Sequence, residues 1–177
     1  TGTNLSNVDL SKYDLTETDF TKANLMSANL MNQDLNNVIL TNTNLQGANL
    51  SNTLLGDVDL SGRNLTGTKL SNVDLSEHDL TKTLFKNSKL TNTNFNGAIL
   101  RGTNFVDSDL AEIQNNSLGS LSLFRVSFAH SDIGTVNFPE KLYGINFHFS
   151  KMNDIDLSDR TIEQTSFSYA EMTNANF

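Results

Sequence analysis

The chain has 177 residues, no cysteine, one proline and a net charge of −8. Without cysteine there is no disulfide framework and no thiolate metal site, and without a run of 18 apolar residues no membrane span is expected. The acidic balance also speaks against direct nucleic-acid binding, which rests on cations that neutralise phosphates.

From Leu5 to Leu110 the fifth and tenth residues of every block of ten are apolar. These are 22 positions in succession, 18 of them Leu, the others Phe20, Phe85, Phe95 and Phe105. A period of five is neither the 3.6 of a helix nor the 2 of a strand. It marks a solenoid, in which each short unit adds one side to a stack. Two residues before each of these centres stands Ala, Val, Thr or Ser in 18 of the 22 repeats. Two residues after the centre, Asn, Gly or Asp fills 15 of the 21 positions from Asn7 to Asp107. These types fit a square coil of 20 residues. The centre fills the axis, the small residue two places back also points inward, and each corner needs residues that tolerate left-handed backbone.

After Leu110 the centres resume as Ile113, Leu118, Leu123, Phe128, Ile133 and Phe138. They then move again to Leu142, Phe147, Met152, Leu157, Ile162, Phe167, Met172 and Phe177. Bulges or short loops near 111–117 and 138–144 are expected to absorb these slips. The second holds Pro139, which cannot donate to a ladder. Past residue 111 the inward-type positions include Asn116, Leu121, Glu140, Ile145 and Arg160, so side-chain directions are not legible there.

The segments Ala23-Asn24-Leu25, Ala28-Asn29-Leu30, Ala48-Asn49-Leu50 and Val73-Asp74-Leu75 resemble the Ala-(Asp/Asn)-Leu-x-x consensus of the pentapeptide-repeat family. The resemblance implies an all-β fold, a right-handed quadrilateral β-helix of about nine coils, on the order of 40 Å long. It is expected to run over 1–177 as one domain, with a regular array over 1–110 and slipped arrays over 111–138 and 139–177. The resemblance also implies a bacterial source. Some bacterial effectors secreted into host cells carry such a domain beside a catalytic one, HECT-like ubiquitin ligases among them. The cytoplasm is the expected location, or a host cell if the chain belongs to an effector. The chain starts inside a repeat at Thr1 and stops on a centre, Phe177. An open solenoid end exposes apolar cross-section, so a flanking domain or a second copy in a homodimer is expected to cover one.

Positions 20 apart stack, so the surface can be read over 1–110. One face collects Asp14, Asp34 and Asp74, with Glu17, Asp57 and Glu77 at its corner; the next collects Asp19, Asp59 and Asp79. The other two faces are slightly basic. A hydroxyl row of Thr21, Thr41, Ser61 and Thr81 ends at Arg101, and Asn4, Asn24, Asn44, Asn64 and Asn104 form an amide row. Ile39, Leu54, Leu84 and Ile99 stand where outward Asn or Asp is usual. Phe124, Tyr143 and Phe149 lie off the centres, around the slips, and are candidate anchors for a protein partner. Arg63 and His78 put polar bulk at inward sites, and each is expected to reach out through a corner rather than leave a charge unpaired inside.

No catalytic residue, metal or cofactor is expected. His78, His130 and His148 make no ligand pair by spacing, and neither a phosphate loop nor a nucleophile motif occurs. Asp154, Asp156 and Asp159 lack the glycine and distal acid of a calcium loop. The expected role is a non-catalytic scaffold or protein-interaction module within a larger bacterial, effector-like protein. The alternative, also implied by the resemblance, is an acidic mimic of DNA that inhibits or protects DNA gyrase, a topoisomerase.

Overall fold

The structure is a computed structural model that describes residues 2–110, 112, 113, 118 and 123–177. Its repeating unit is one corner. The amide three residues after a centre donates to the centre's carbonyl, as Ala23 does to Phe20 (2.8 Å) and Ala28 to Leu25 (3.0 Å). At most corners the residue two after the centre takes positive φ, from Asn7 at 61° and Asn32 at 63° to Tyr169 at 59°. This is the type II turn, whose third residue must be left-handed. Lys12, Asn37 and Asp57 do not take it, and beside the last Gly56 takes it instead (47°). Asn and Gly adopt that conformation at least cost; Glu17, Lys22, Glu77 and Lys82 adopt it too. The residue just before the centre pairs in parallel with its counterpart on the next coil, as in Asn4↔Asn24, Asn29↔Asn49 and Lys69↔Lys89. One stretch pairs over three residues: β1 (Lys141–Tyr143) against β2 (Thr161–Glu163), in parallel.

Four faces result. We number them by their first centres, Leu5, Leu10, Leu15 and Phe20, and number each corner by the face it follows. The centres are buried from Leu10 to Leu157, most of them with no exposed surface. Each such leucine contributes on the order of 2 kcal/mol. Behind the centres the small residues interlock through hydroxyls. Thr43 Oγ1 donates to the Phe20 carbonyl (2.9 Å), Thr83 to Leu60 (2.8 Å) and Thr103 to Leu80 (2.9 Å), each reaching the neighbouring coil.

Both register slips are present. Pairing steps from 20 residues to 23 at Asn104↔Ser127 and Asp109↔Asp132, then to 19 at Phe124↔Tyr143 and Ser127↔Asn146, and returns to 20 at Asn146↔Ser166. Three residues are therefore added between the second and third faces, and one is lost between the third and fourth, beside Pro139. Leu118 resumes the frame above Phe138, donating to the Asn137 carbonyl (2.8 Å). Ile113 is not a centre: its amide closes the Leu110 corner (3.3 Å), and its buried side chain fills an inward position. Asn116 and Leu121 lie outside the described residues; Ile145 is inward and buried, and Glu140 points out.

The core passes through both slips without a break. Phe85, Phe105, Phe128, Phe147 and Phe167 stack on the first face at 5.3, 5.3, 5.5 and 5.1 Å, their planes within 15°. Phe138 meets Phe128 and Phe147 edge-on at 5.7 and 5.3 Å. The extra and missing residues are taken up at corners, where length changes cost least.

Arg63 does not reach out as the sequence suggests. It lies half-buried between coils and donates to the carbonyls of Leu40 (2.5 Å), Thr43 (3.3 Å) and Asp59 (2.9 Å). Burial lowers its pKa from the usual arginine value, with Asp59 opposing. Among the described residues no backbone bond joins 38–45 to 58–64, and none joins 53–60 to 73–80. Crevices of about 580 and 290 Å3 open on the two sides of this stretch. His78 borders the second. Its Nδ1 bonds the Ser76 carbonyl (3.0 Å), while its Nε2 is buried without a partner. The same substitution of side-chain for ladder bonds recurs at two more inward sites. Gln33 Nε2 donates to the Ser11 carbonyl (3.0 Å) and Arg160 Nε to Phe138 (3.1 Å).

Arg63→Thr should let a hydroxyl reach the Leu40 carbonyl, as Thr43 and Thr83 reach theirs, and let the ladder close. The expected gain is about 1 kcal/mol in urea unfolding; a lower urea midpoint would contradict the replacement of ladder bonds by Arg63. Phe128→Ala removes the middle ring of the stack and should cost roughly 3–5 kcal/mol in the same measurement.

Candidate functional site

The acidic residues gather on the third and fourth faces and the corner between them. Asp14, Asp34 and Asp74 stand on the third face and Asp19, Asp59 and Asp79 on the fourth, all exposed. Each carboxylate first serves its own corner. Oδ1 accepts the amide two residues on, from Thr16 (2.9 Å), Asn36 (3.0 Å), Ser76 (2.9 Å), Thr21 (2.8 Å), Ser61 (3.0 Å) and Thr81 (2.8 Å) respectively. Hydrogen bonds from the following Ser or Thr hydroxyl and backbone amide hold Asp14, Asp19, Asp74 and Asp79 below the usual carboxylate pKa. Asp9 on the second face and Asp156 further along the third behave alike. The columns are interrupted: Asp34 pairs with Leu54 and Asp19 with Ile39, both aliphatic and about half exposed.

The three aromatic candidates fall into two patches. Phe124 and Tyr143 directly follow the centres Leu123 and Leu142 and stack at 5.3 Å with a 2° tilt on the fourth corner. Both are half-buried. Phe149 stands instead on the first corner, between His130 at 5.2 Å and Tyr169 at 4.9 Å, with His148 edge-on at 4.3 Å. Phe149 is 48% and Tyr169 75% exposed. His130, Phe149 and Tyr169 each sit at φ near 55–60°. Sequence reasoning missed His130, His148 and Tyr169 as members of this column. Their common signal is the place two after the centres Phe128, Phe147 and Phe167, or, for His148, one after Phe147.

Among the described residues no group of three His, Asp or Glu could hold a metal ion, and no helix is long and apolar enough to cross a membrane.

The family model for pentapeptide repeats matches the sequence in eight copies, over residues 1–32, 23–62, 48–87 and 79–112. The chain belongs to the pentapeptide-repeat family. Its fold is accordingly the right-handed quadrilateral β-helix, with the slips at 111–117 and 138–144. HetL, a pentapeptide repeat protein involved in heterocyst differentiation regulation in the cyanobacterium Nostoc sp. strain PCC 7120, is similar over 99% of this chain and 87% of its own, at 22% identity and TM-score 0.60. A pentapeptide repeat protein of the Arabidopsis thaliana thylakoid lumen matches 64% of this chain and 68% of its own at 25% identity and TM-score 0.30. QnrB1, a plasmid-mediated fluoroquinolone resistance protein, covers 98% and 90% at 10% identity and TM-score 0.45. No curated protein matches the chain.

The lowered carboxylate values set a pH window. A group whose folded pKa lies below its unfolded value stabilises the fold above the unfolded value and loses that contribution as pH falls through the folded one. Thermal stability should be level from pH 7 to 5 and fall below about pH 4. Asn can supply the same acceptor, as Asn44 and Asn49 do for the amides of Gln46 and Ser51 (both 3.2 Å). Asp74→Asn with Asp79→Asn should therefore leave the melting temperature at pH 7 nearly unchanged and shrink its fall between pH 4 and 2. An unchanged acid fall would show that these carboxylates do not contribute.

Proposed function

We propose that this pentapeptide-repeat chain is a non-catalytic scaffold that presents its corners to a protein partner, as part of a larger bacterial protein. The observation that carries this reading is the exposed first-corner column of His130, Phe149 and Tyr169. Left-handed backbone costs a bulky residue roughly 1–2 kcal/mol more than glycine, and exposed aromatic surface adds no folding energy. Aromatic side chains held in that way are the usual anchors of an interface. Phe124 and Tyr143 offer a second apolar edge on the other side of the first face. The acidic columns of Asp14, Asp34, Asp74, Asp19, Asp59 and Asp79 would contribute long-range attraction to a basic surface.

The second reading, an acidic DNA mimic acting on gyrase, draws on those same columns. Three features weigh against it. Ile39 and Leu54 interrupt the acids, the third corner turns to Gly97 after Glu77, and the fourth face carries Ile99 and Lys141 further on. A strip confined to four coils is about 20 Å long and replaces only about six base pairs of duplex charge.

Three measurements separate the readings. Cross-linking with mass spectrometry on the partner complex should place contacts at Phe124, Tyr143, Phe149 and Tyr169. Partner recovery in pull-down should drop at least tenfold with Phe124→Ala and Phe149→Ala combined; undiminished recovery removes the aromatic surfaces from the interface. Salt-sensitive inhibition of gyrase supercoiling by the chain alone would instead support the mimic.

A further inference from the structure

The fourth corner carries a cluster of cations that the acidic balance of the chain conceals. Lys82, Arg101 and Arg125 stand there around Phe124, lining a shallow concavity of about 410 Å3 with Thr81 and Gly102. The Arg101 guanidinium carbon lies 5.3 Å from the Phe124 ring centre and that of Arg125 5.2 Å. Tyr143 backs the ring. Glycine alternates with the cations along the corner. A side chain on Gly102 would meet the Lys82 stem at 3.6 Å, and one on Gly144 would meet the Arg125 stem at 3.3 Å. The long cationic side chains thus lie flat over bare backbone on the neighbouring coil. No described carboxylate is within ion-pair distance of these three groups; Lys86 and Asp107, at 3.7 Å, form a pair elsewhere.

Cation–π contact holds a guanidinium in place while leaving its in-plane N–H groups directed outward. Two such forks beside an ammonium match paired carboxylates, which guanidinium binds bidentately. We infer that the Lys82–Arg101–Phe124–Arg125 corner is a receptor for a short acidic segment of a partner protein, its carboxylates on the guanidinium groups and an apolar side chain against the edges of Phe124 and Tyr143. This deepens the scaffold reading above and rests on it. A nucleic acid is the poorer fit for two reasons. Stacking a base needs an open ring face, and the Phe124 ring already has Tyr143 stacked on it and two guanidinium groups over it. A long polyanion would also run onto Asp59 and Asp79 of the adjoining face, whereas a short peptide stays within the two or three coils of the patch.

The test is fluorescence anisotropy on the whole chain with a fluorescein-labelled peptide of alternating Glu and Phe. Oligothymidylate and an alternating Lys–Phe peptide serve as comparison probes. The Glu–Phe peptide should bind, and Arg101→Glu with Arg125→Glu should weaken it at least tenfold. Phe124→Ala should weaken it about threefold. Arg125 sits in left-handed backbone (φ 53°), where Glu is tolerated as at Glu17 and Glu77, and Arg101 lies outside that region, so the double variant should keep the wild-type melting curve. Lys69→Glu with Lys89→Glu makes the same change in net charge on the opposite face and should alter affinity by less than twofold. The inference is overturned by absence of binding, by equal weakening in both double variants, or by tighter binding of oligothymidylate. Those outcomes concern this corner alone. The scaffold role is read separately, by partner recovery with Phe149→Ala alone, which leaves this corner unchanged.

Discussion

Space at the axis governs this molecule. A centre every fifth residue fills the tube, and the residue two places back must fit in what is left. That restriction accounts for the run of Ala, Val, Ser and Thr at inward sites, and for hydroxyls that bond carbonyls 23 residues earlier, such as Ser88 on Leu65 (2.9 Å). It also accounts for the exceptions. A long polar side chain cannot be accommodated among the centres, so Gln33, Arg63 and Arg160 part the neighbouring coils and satisfy the exposed carbonyls themselves. Charge burial at Arg63 is tolerable because three carbonyls face the guanidinium.

Because the tube is filled, little chemistry can take place inside it. What varies freely is the corner, where two residues per unit project away from the stack. Corner positions set the turn, carry the charge and hold the exposed rings. The stacked amides of Asn32, Asn52, Asn72 and Asn92 at the second corner, joined by bonds of 2.7–2.9 Å, are the structural use of such a column. The first and fourth corners depart from that use. One carries a ladder of histidine, phenylalanine and tyrosine, the other a ladder of arginine, phenylalanine and tyrosine, and the first face lies between them.

Much of this was legible in the amino-acid order, and the reason is the rigidity of the period. One wrong step would move every later centre off the axis, so centres, inward sites and corners could be assigned through Leu110. The same rigidity explains what was illegible. A slip can be located from the apolar spacing, but its size and the corner that absorbs it depend on packing. Ile113 looks like a centre because it is apolar and buried, yet the frame resumes only at Leu118. The ladder of His130, Phe149 and Tyr169 is spaced by 19 and 20 residues, so no count by twenties assembles it. Arg63 was misread because side-chain reach was weighed against solvent alone, without the carbonyls that an opened coil exposes.

The stretch around Gly56–Ser61 has a mechanical consequence. Backbone bonds such as Leu30 to Asn49 (2.9 Å) and Asn32 to Ser51 (3.0 Å) tie this coil to the one before it on the second face and its corner, while the diagonally opposite side, 38–45 against 58–64, has none. A post fastened along one edge of a joint flexes about that edge. This joint is therefore less stiff in bending than a fully laddered one, and the stack can tilt there with its apolar column intact.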